Sequence, residues 1–186
     1  PIPSRGLGDV YKRQGFRGLA SHGAVIGSLI GLYLYQLKFK KRSLLWLLDR
    51  ITIPVSLGAC FVRLGNFFNS EIVGKYSNTD FGVVFLNRGE TLPRHPAQIY
   101  ESICYLFLFL FLRKTYNSDK KNRQGYLIGS FFVGMFTIRF LIEYLKESQG
   151  GLEDILGLFT TGQWLSFPLI IFGFYLIFRQ SKFMKE

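Results

Sequence analysis

The chain has 186 residues, is 48% hydrophobic and 17% aromatic, and carries a formal charge of +11. That apolar fraction suits a soluble domain as well as a membrane one, so composition excludes neither. The arrangement is more telling. Apolar residues gather in five blocks with the lysines and arginines between them, whereas a nucleic-acid-binding protein would collect its excess charge on one basic face.

Residues 1–17 read as a polar leader. Pro1 to Gln14 is polar, holds the turn formers Gly6 and Gly8, and lacks the apolar centre of a signal peptide. The expectation is a non-native leader, or a truncated reading frame, joined to a membrane domain over 18–186 that has lost its natural start. A spanning helix needs ~20 mostly apolar residues. The blocks at Gly18 to Leu37, Leu44 to Val62, Gln98 to Leu112, Gly125 to Tyr144 and Gln163 to Phe178 come close to that. The predicted fold class is an all-α polytopic transmembrane helix bundle, with a long loop after the second span.

Charge supplies an orientation. Lys38, Lys40, Lys41 and Arg42 follow the first block, Arg113, Lys114, Lys120, Lys121 and Arg123 the third, and Arg179, Lys182 and Lys185 the fifth. The alternate connections differ: Arg63 to Ala97 is nearly balanced, and Glu147 to Gly162 holds acids but no lysine or arginine. The positive-inside rule then puts the basic connections and the C-terminus in the cytoplasm, and the long loop outside.

The first block carries two ridges of small residues, Gly23, Gly27, Gly31 and Ala20, Ala24, Ser28, which predict close helix packing in lipid. Cys60 and Cys104 fall inside apolar blocks without metal-ligand spacing, and they read as packing residues. No metal or cofactor is expected.

Arg63 to Gly74, reading Arg-Leu-Gly-Asn-Phe-Phe-Asn-Ser-Glu-Ile-Val-Gly, is the most informative stretch. A guanidinium at a membrane boundary, flanked by amides, suits a lipid phosphate, because its planar fork matches the phosphate oxygens. A polar loop with a snorkelling arginine fits the same spacing equally well. Arg139 and Glu143 sit four apart on one helix face, where ionisable residues usually turn inward. They read either as site residues or as a structural ion pair. Asp49 is expected to bond within the bundle, and Arg50 to snorkel.

Histidine exchanges protons near neutral pH, and the chain has only His22 and His95. Gly23 leaves room beside the first. The polar groups thus collect at one level, in the outer half of the membrane: His22, Arg63, Asn66, Asn69, Glu71, His95, Gln98, Tyr100, Glu101, Arg139 and Glu143. A transporter would place them near the midplane and show two related halves, and no such repeat is visible.

Four blocks together make the chain resemble the bacterial prolipoprotein diacylglyceryl transferases. Ser21 to Gly27 looks like the family's His-Gly helix, and Arg63 to Gly74 is similar to its signature, including the later glycine at Gly74. Arg94-His95-Pro96-Ala97-Gln98-Ile99-Tyr100-Glu101 looks like its His-Pro-Ser/Thr-Gln-x-Tyr-Glu block, with Ala97 replacing a hydroxyl residue. Arg139-Phe140 with Glu143, then Gly162-Gln163-Trp164-Leu165-Ser166, resemble its last two regions. The family has about seven spans against the five read here, which implies a chain incomplete at its N-terminus.

The resemblance implies a multi-pass enzyme of the bacterial cytoplasmic (inner) membrane, with its site toward the outer leaflet. Its partners would be phosphatidylglycerol, a prolipoprotein signal peptide with a lipobox cysteine, and membrane lipid, with no nucleic acid. The diacylglyceryl group would pass to the cysteine thiol, leaving glycerol phosphate. His22, Arg63 and Arg139 are the implied catalytic residues. Gly23, Asn66, Asn69, Glu71, Gly74, His95, Gln98, Tyr100, Glu101 and Glu143 are the implied substrate-binding ones. A non-catalytic anionic-lipid-binding membrane protein or transporter is the alternative. A metal-dependent phosphatidyl transferase fits less well, because no Asp-rich motif is present.

Overall fold

A computed structural model of the chain describes residues 21–39, 42–78, 80–147 and 159–179. Residues 1–17, expected to be a polar leader, lie outside them. Five helices account for most of the described residues: α1 (Ser21–Phe39), α2 (Leu44–Phe68), α3 (Ala97–Tyr116), α4 (Tyr126–Glu143) and α5 (Thr161–Phe178). Short 3-10 turns lie at Leu86–Arg88 and Asp119–Asn122. Among the described residues, α2, α4 and α5 are long and apolar enough to cross a membrane. The fold is an all-α polytopic membrane bundle.

Two compact units divide the chain, 1–44 and 45–186. In the first, α1 is a single helix.

The second unit is inside-out relative to a soluble bundle. The buried residues of α2 are Asp49, Thr52, Ser56 and Cys60, a small polar stripe at helical spacing, while Ile51, Val55, Phe61 and Val62 are exposed. Lipid accepts those apolar faces, and the polar side chains find partners within. Asp49 bonds within the bundle, as expected. Its carboxylate accepts from the Gly125 amide at 2.7 Å and the Ile128 amide at 2.9 Å, capping α4 from another helix. Arg50 lies over the Trp46 ring, 3.4 Å from its centroid. Cys60 packs at 3.1 Å against Ser102, and Cys104 is half-buried.

In α3 the buried face runs Gln98, Glu101, Ser102, Tyr105, Leu108, Leu112, polar at one end and apolar at the other. The apolar end joins Leu127, Ile128, Phe131 and Leu176 in the core. Close approach between α4 and α5 depends on Gly129 and Gly173, where a Cβ on either would stand 2.8 Å from the other's carbonyl.

One boundary differs from the sequence reading in a way that matters. The second span was expected to stop at Val62, with a polar segment following. Nothing in 63–68 breaks a helix, so α2 continues to Phe68. Arg63 and Asn66 therefore stand on the last turns of a helix, three residues apart and on one face.

Candidate active site

The loop from 69 to 96 is stitched to the end of α4. Gly74 donates to the His95 carbonyl at 3.0 Å and bridges Lys146, while the Lys75 amide bonds the Leu145 carbonyl at 2.8 Å. A Cβ at Gly74 would collide with the His95 carbonyl and stand 2.9 Å from the Leu145 carbonyl, so only glycine fits this crossing. His95 contributes chiefly through its backbone, with its ring 3.5 Å from the Tyr100 hydroxyl at Nδ1.

Within this frame the charged groups meet. Arg63 Nε pairs with Glu101 Oε2 at 2.9 Å, and Glu101 is fully buried. The other oxygen of Glu101 accepts from Lys146 Nζ at 2.9 Å, and the same ammonium lies 3.4 Å from Glu143 Oε2. Tyr105, fully buried on α3 one turn after Glu101, packs below this cluster, and Arg139 lies one helical turn before Glu143 on α4.

Arg139 makes no ion pair with Glu143 among the described residues, and its Nε, buried, has no hydrogen-bond partner there. Glu143 turns to Lys146 instead. Glu143 also sits against α5, where a Cβ at Gly162 would stand 2.5 Å from its carboxylate. Gln163 closes the same corner, completing a capping box with Thr160 and donating to the Phe140 carbonyl at 3.2 Å.

A second group of amides lies beside the first. Asn66 Nδ2 donates to Glu71 Oε2 at 2.8 Å, and Gln98 Nε2 to the Glu71 carbonyl at 2.6 Å. These bonds hold a strained segment, because Ser70 and Ile72 on either side of Glu71 have φ of 56° and 54°. Glu71 is thus tied to the amides rather than to an arginine. Asn66 Oδ1 and Gln98 Oε1 are buried acceptors without protein partners, and Trp164 Nε1 is a buried donor in the same state. Buried polar atoms are nearly always satisfied, so unpaired ones call for a ligand or water.

The structure thus brings together Arg63, Asn66, Glu71, Gln98, Glu101, Arg139 and Glu143, with Gly74, His95 and Tyr100 in the frame behind them. Asn69 is exposed. His22 and Gly23 belong to the first turn of α1, and the side chain of His22 lies outside the described residues. Sequence reasoning missed Lys146. Helical spacing could not have found it, because α4 ends at Glu143 and Lys146 sits at the bridge to Gly74. Among the described residues no group of His, Cys, Asp and Glu could hold a metal.

Comparison with known proteins gives the family of the chain. The family model described as prolipoprotein diacylglyceryl transferase matches residues 10–179. A phosphatidylglycerol--prolipoprotein diacylglyceryl transferase of Tolumonas auensis is 43% identical over 165 residues, 89% of this chain and 63% of that protein. The one of Chloroherpeton thalassium is 45% identical over 166 residues, 89% of this chain and 61% of its relative. That of Bacteroides fragilis is 42% identical over 176 residues, 94% and 62%. This chain spans about three fifths of the length of these curated relatives. With the match running through α2 to α5 and every segment of the charged cluster, the chain belongs to the prolipoprotein diacylglyceryl transferase family.

Proposed function

We propose that this chain carries the phosphate-binding part of an enzyme that transfers diacylglyceryl from phosphatidylglycerol to the lipobox cysteine of a prolipoprotein. The reading rests above all on one observation: Arg63, fixed by buried Glu101, and Arg139, with an unpartnered buried Nε one helical turn before Glu143, stand at the two ends of the ion-pair chain Glu101–Lys146–Glu143. Two guanidiniums so placed suit the two non-bridging oxygens of one phosphodiester. The orphan acceptors Asn66 Oδ1 and Gln98 Oε1 suit the hydroxyls of the glycerol headgroup.

In the reaction the cysteine sulfur forms a bond to the glycerol carbon of the diacylglyceryl unit. The bond from that carbon to the phosphate oxygen breaks, and glycerol phosphate leaves with the electron pair. Fixed cations stabilise the charge that grows on the departing phosphate. The thiol reacts as thiolate, so its proton must go to a base, for which His22 is the candidate from sequence. The nucleophile comes from the substrate, which is why the chain needs none of its own.

The enzyme would lie in the bacterial cytoplasmic (inner) membrane as a multi-pass protein, its site toward the outer leaflet and its C-terminus in the cytoplasm. The test is to supply a lipobox peptide and phosphatidylglycerol micelles to the purified chain. A peptide mass increased by one diacylglyceryl group supports the reading. Phosphatidylglycerol binding with an unmodified peptide would favour a lipid-binding protein without catalysis.

A further inference from the structure

We infer that Lys146 is a positioning residue, which shares Glu101 with Arg63 and holds Glu143 away from Arg139, so that the cluster keeps a net positive charge for an anion. The inference rests on the reading of this pocket as a lipid-phosphate site. Lys146 cannot snorkel out. It is 7% exposed, and its backbone is held by the bridge to Gly74 and by the bonds at Lys75 and Glu147.

Its ammonium sits between two acids, 2.9 Å from Glu101 Oε1 and 3.4 Å from Glu143 Oε2. Without that charge, two carboxylates would face two guanidiniums. Glu143 lies four residues from Arg139 on the same helix, the spacing at which such groups pair. The arginines would then be neutralised by the protein, and the pocket would have no attraction left for a phosphate. With Lys146, three cations stand against the carboxylates of Glu101 and Glu143, the Glu71 carboxylate being held apart from these ion pairs by Asn66. One positive charge remains, the complement of a phosphodiester monoanion. Lys146 also ties lipid binding to the 69–96 loop, since its position depends on the strand-like crossing at Gly74.

The test uses the full chain in neutral detergent. Its readouts are phosphatidylglycerol affinity, followed by tryptophan fluorescence, and transfer to a lipobox peptide. Lys146→Met should weaken phosphatidylglycerol binding roughly 10–100-fold, the usual cost of losing a partner that orients a binding group. Lys146→Arg should restore most of it. The double variant Glu101→Gln with Lys146→Met removes one charge of each sign, and should bind more tightly than Lys146→Met alone. A purely structural lysine would give no such recovery. If Lys146→Met fails to fold, the folded double variant decides, with affinity within about tenfold of the unmodified chain expected.

Unchanged affinity and turnover in Lys146→Met would overturn the inference, as would a double variant no better than the single. So would an unmodified chain with no affinity for phosphatidylglycerol. Lys146-dependent binding without transfer would leave the inference standing and remove the transferase reading.

Discussion

Two arginine clusters stand close together in this protein and are built to opposite ends. Arg94 is saturated by its own chain: it bonds Glu90 and the Gly74 carbonyl, pairs with Glu147 at 3.3 Å, and lies over the Tyr76 ring. Its work is to hold the loop. The Arg63–Arg139 cluster is left unfinished, with a buried guanidinium nitrogen and two amide oxygens lacking protein partners. Each cluster sets an arginine that is at most 16% exposed against a carboxylate. What separates a structural arginine from a ligand-binding one is whether its donors are already spent.

The comparison predicts opposite phenotypes for the same substitution. Arg63→Lys keeps the charge and loses the fork, and should lower turnover about 100-fold, with little change in Tm. Arg94→Lys should do the reverse, lowering Tm by about 5 °C while the remaining folded protein turns over normally. Steady-state transfer rates and thermal melts on both variants check this. Equal losses of activity and stability in both would erase the distinction.

Gly162→Ala sharpens it. The new Cβ meets the far end of Glu143, which can swing away without unfolding α5. Turnover should fall about tenfold at unchanged Tm, because Glu143 then leaves Lys146. A lowered Tm with normal turnover would show that Gly162 serves only helix packing.

The loop cluster should also respond to acid. The hydrogen bond from Arg94, with help from Arg88, holds the Glu90 carboxyl below its ordinary value of 4.5. A carboxyl whose folded-state value is depressed stabilises the fold fully above the unfolded value and loses that effect as pH falls through the folded one. Hydrogen exchange at the Ser77 and Val83 amides should therefore be slow above pH 4.5, with protection falling as the pH drops below it. Glu90→Gln should remove the pH dependence.

The smallest effect belongs to Ile72. A β-branched residue at φ of 54° is strained, and asparagine tolerates that region better. Ile72→Asn should leave Tm unchanged or raise it by a degree or two, roughly the relief of one strained residue. A fall of many degrees would mean that the Ile72 side chain, not its backbone, matters.

Much of this was legible from residues alone. The five apolar blocks are the five helices, and the motif at Arg63 to Gly74 contains the first guanidinium, the amides and the glycine at the crossing. Lys146 was not legible, because it follows a span among other polar residues and its partners come from α3 and α4. The division of labour among the acids was hidden for the same reason. Sequence spacing pairs Arg139 with Glu143, but the loop crossing at Gly74 delivers a competing cation that spacing cannot foresee. The end of α2 was misplaced because polarity marks where a helix leaves the apolar layer, not where its hydrogen bonding stops.

The central claim is that Arg63 and Arg139 grip one phosphate. Solid-state NMR on the chain with nitrogen-15 guanidinium labels and bound phosphatidylglycerol measures this directly, through phosphorus–nitrogen dipolar couplings. The account predicts couplings from a single phosphorus to two arginines, one lost in Arg63→Lys and the other in Arg139→Lys. A coupling to only one of them, or one unaffected by either substitution, would contradict it.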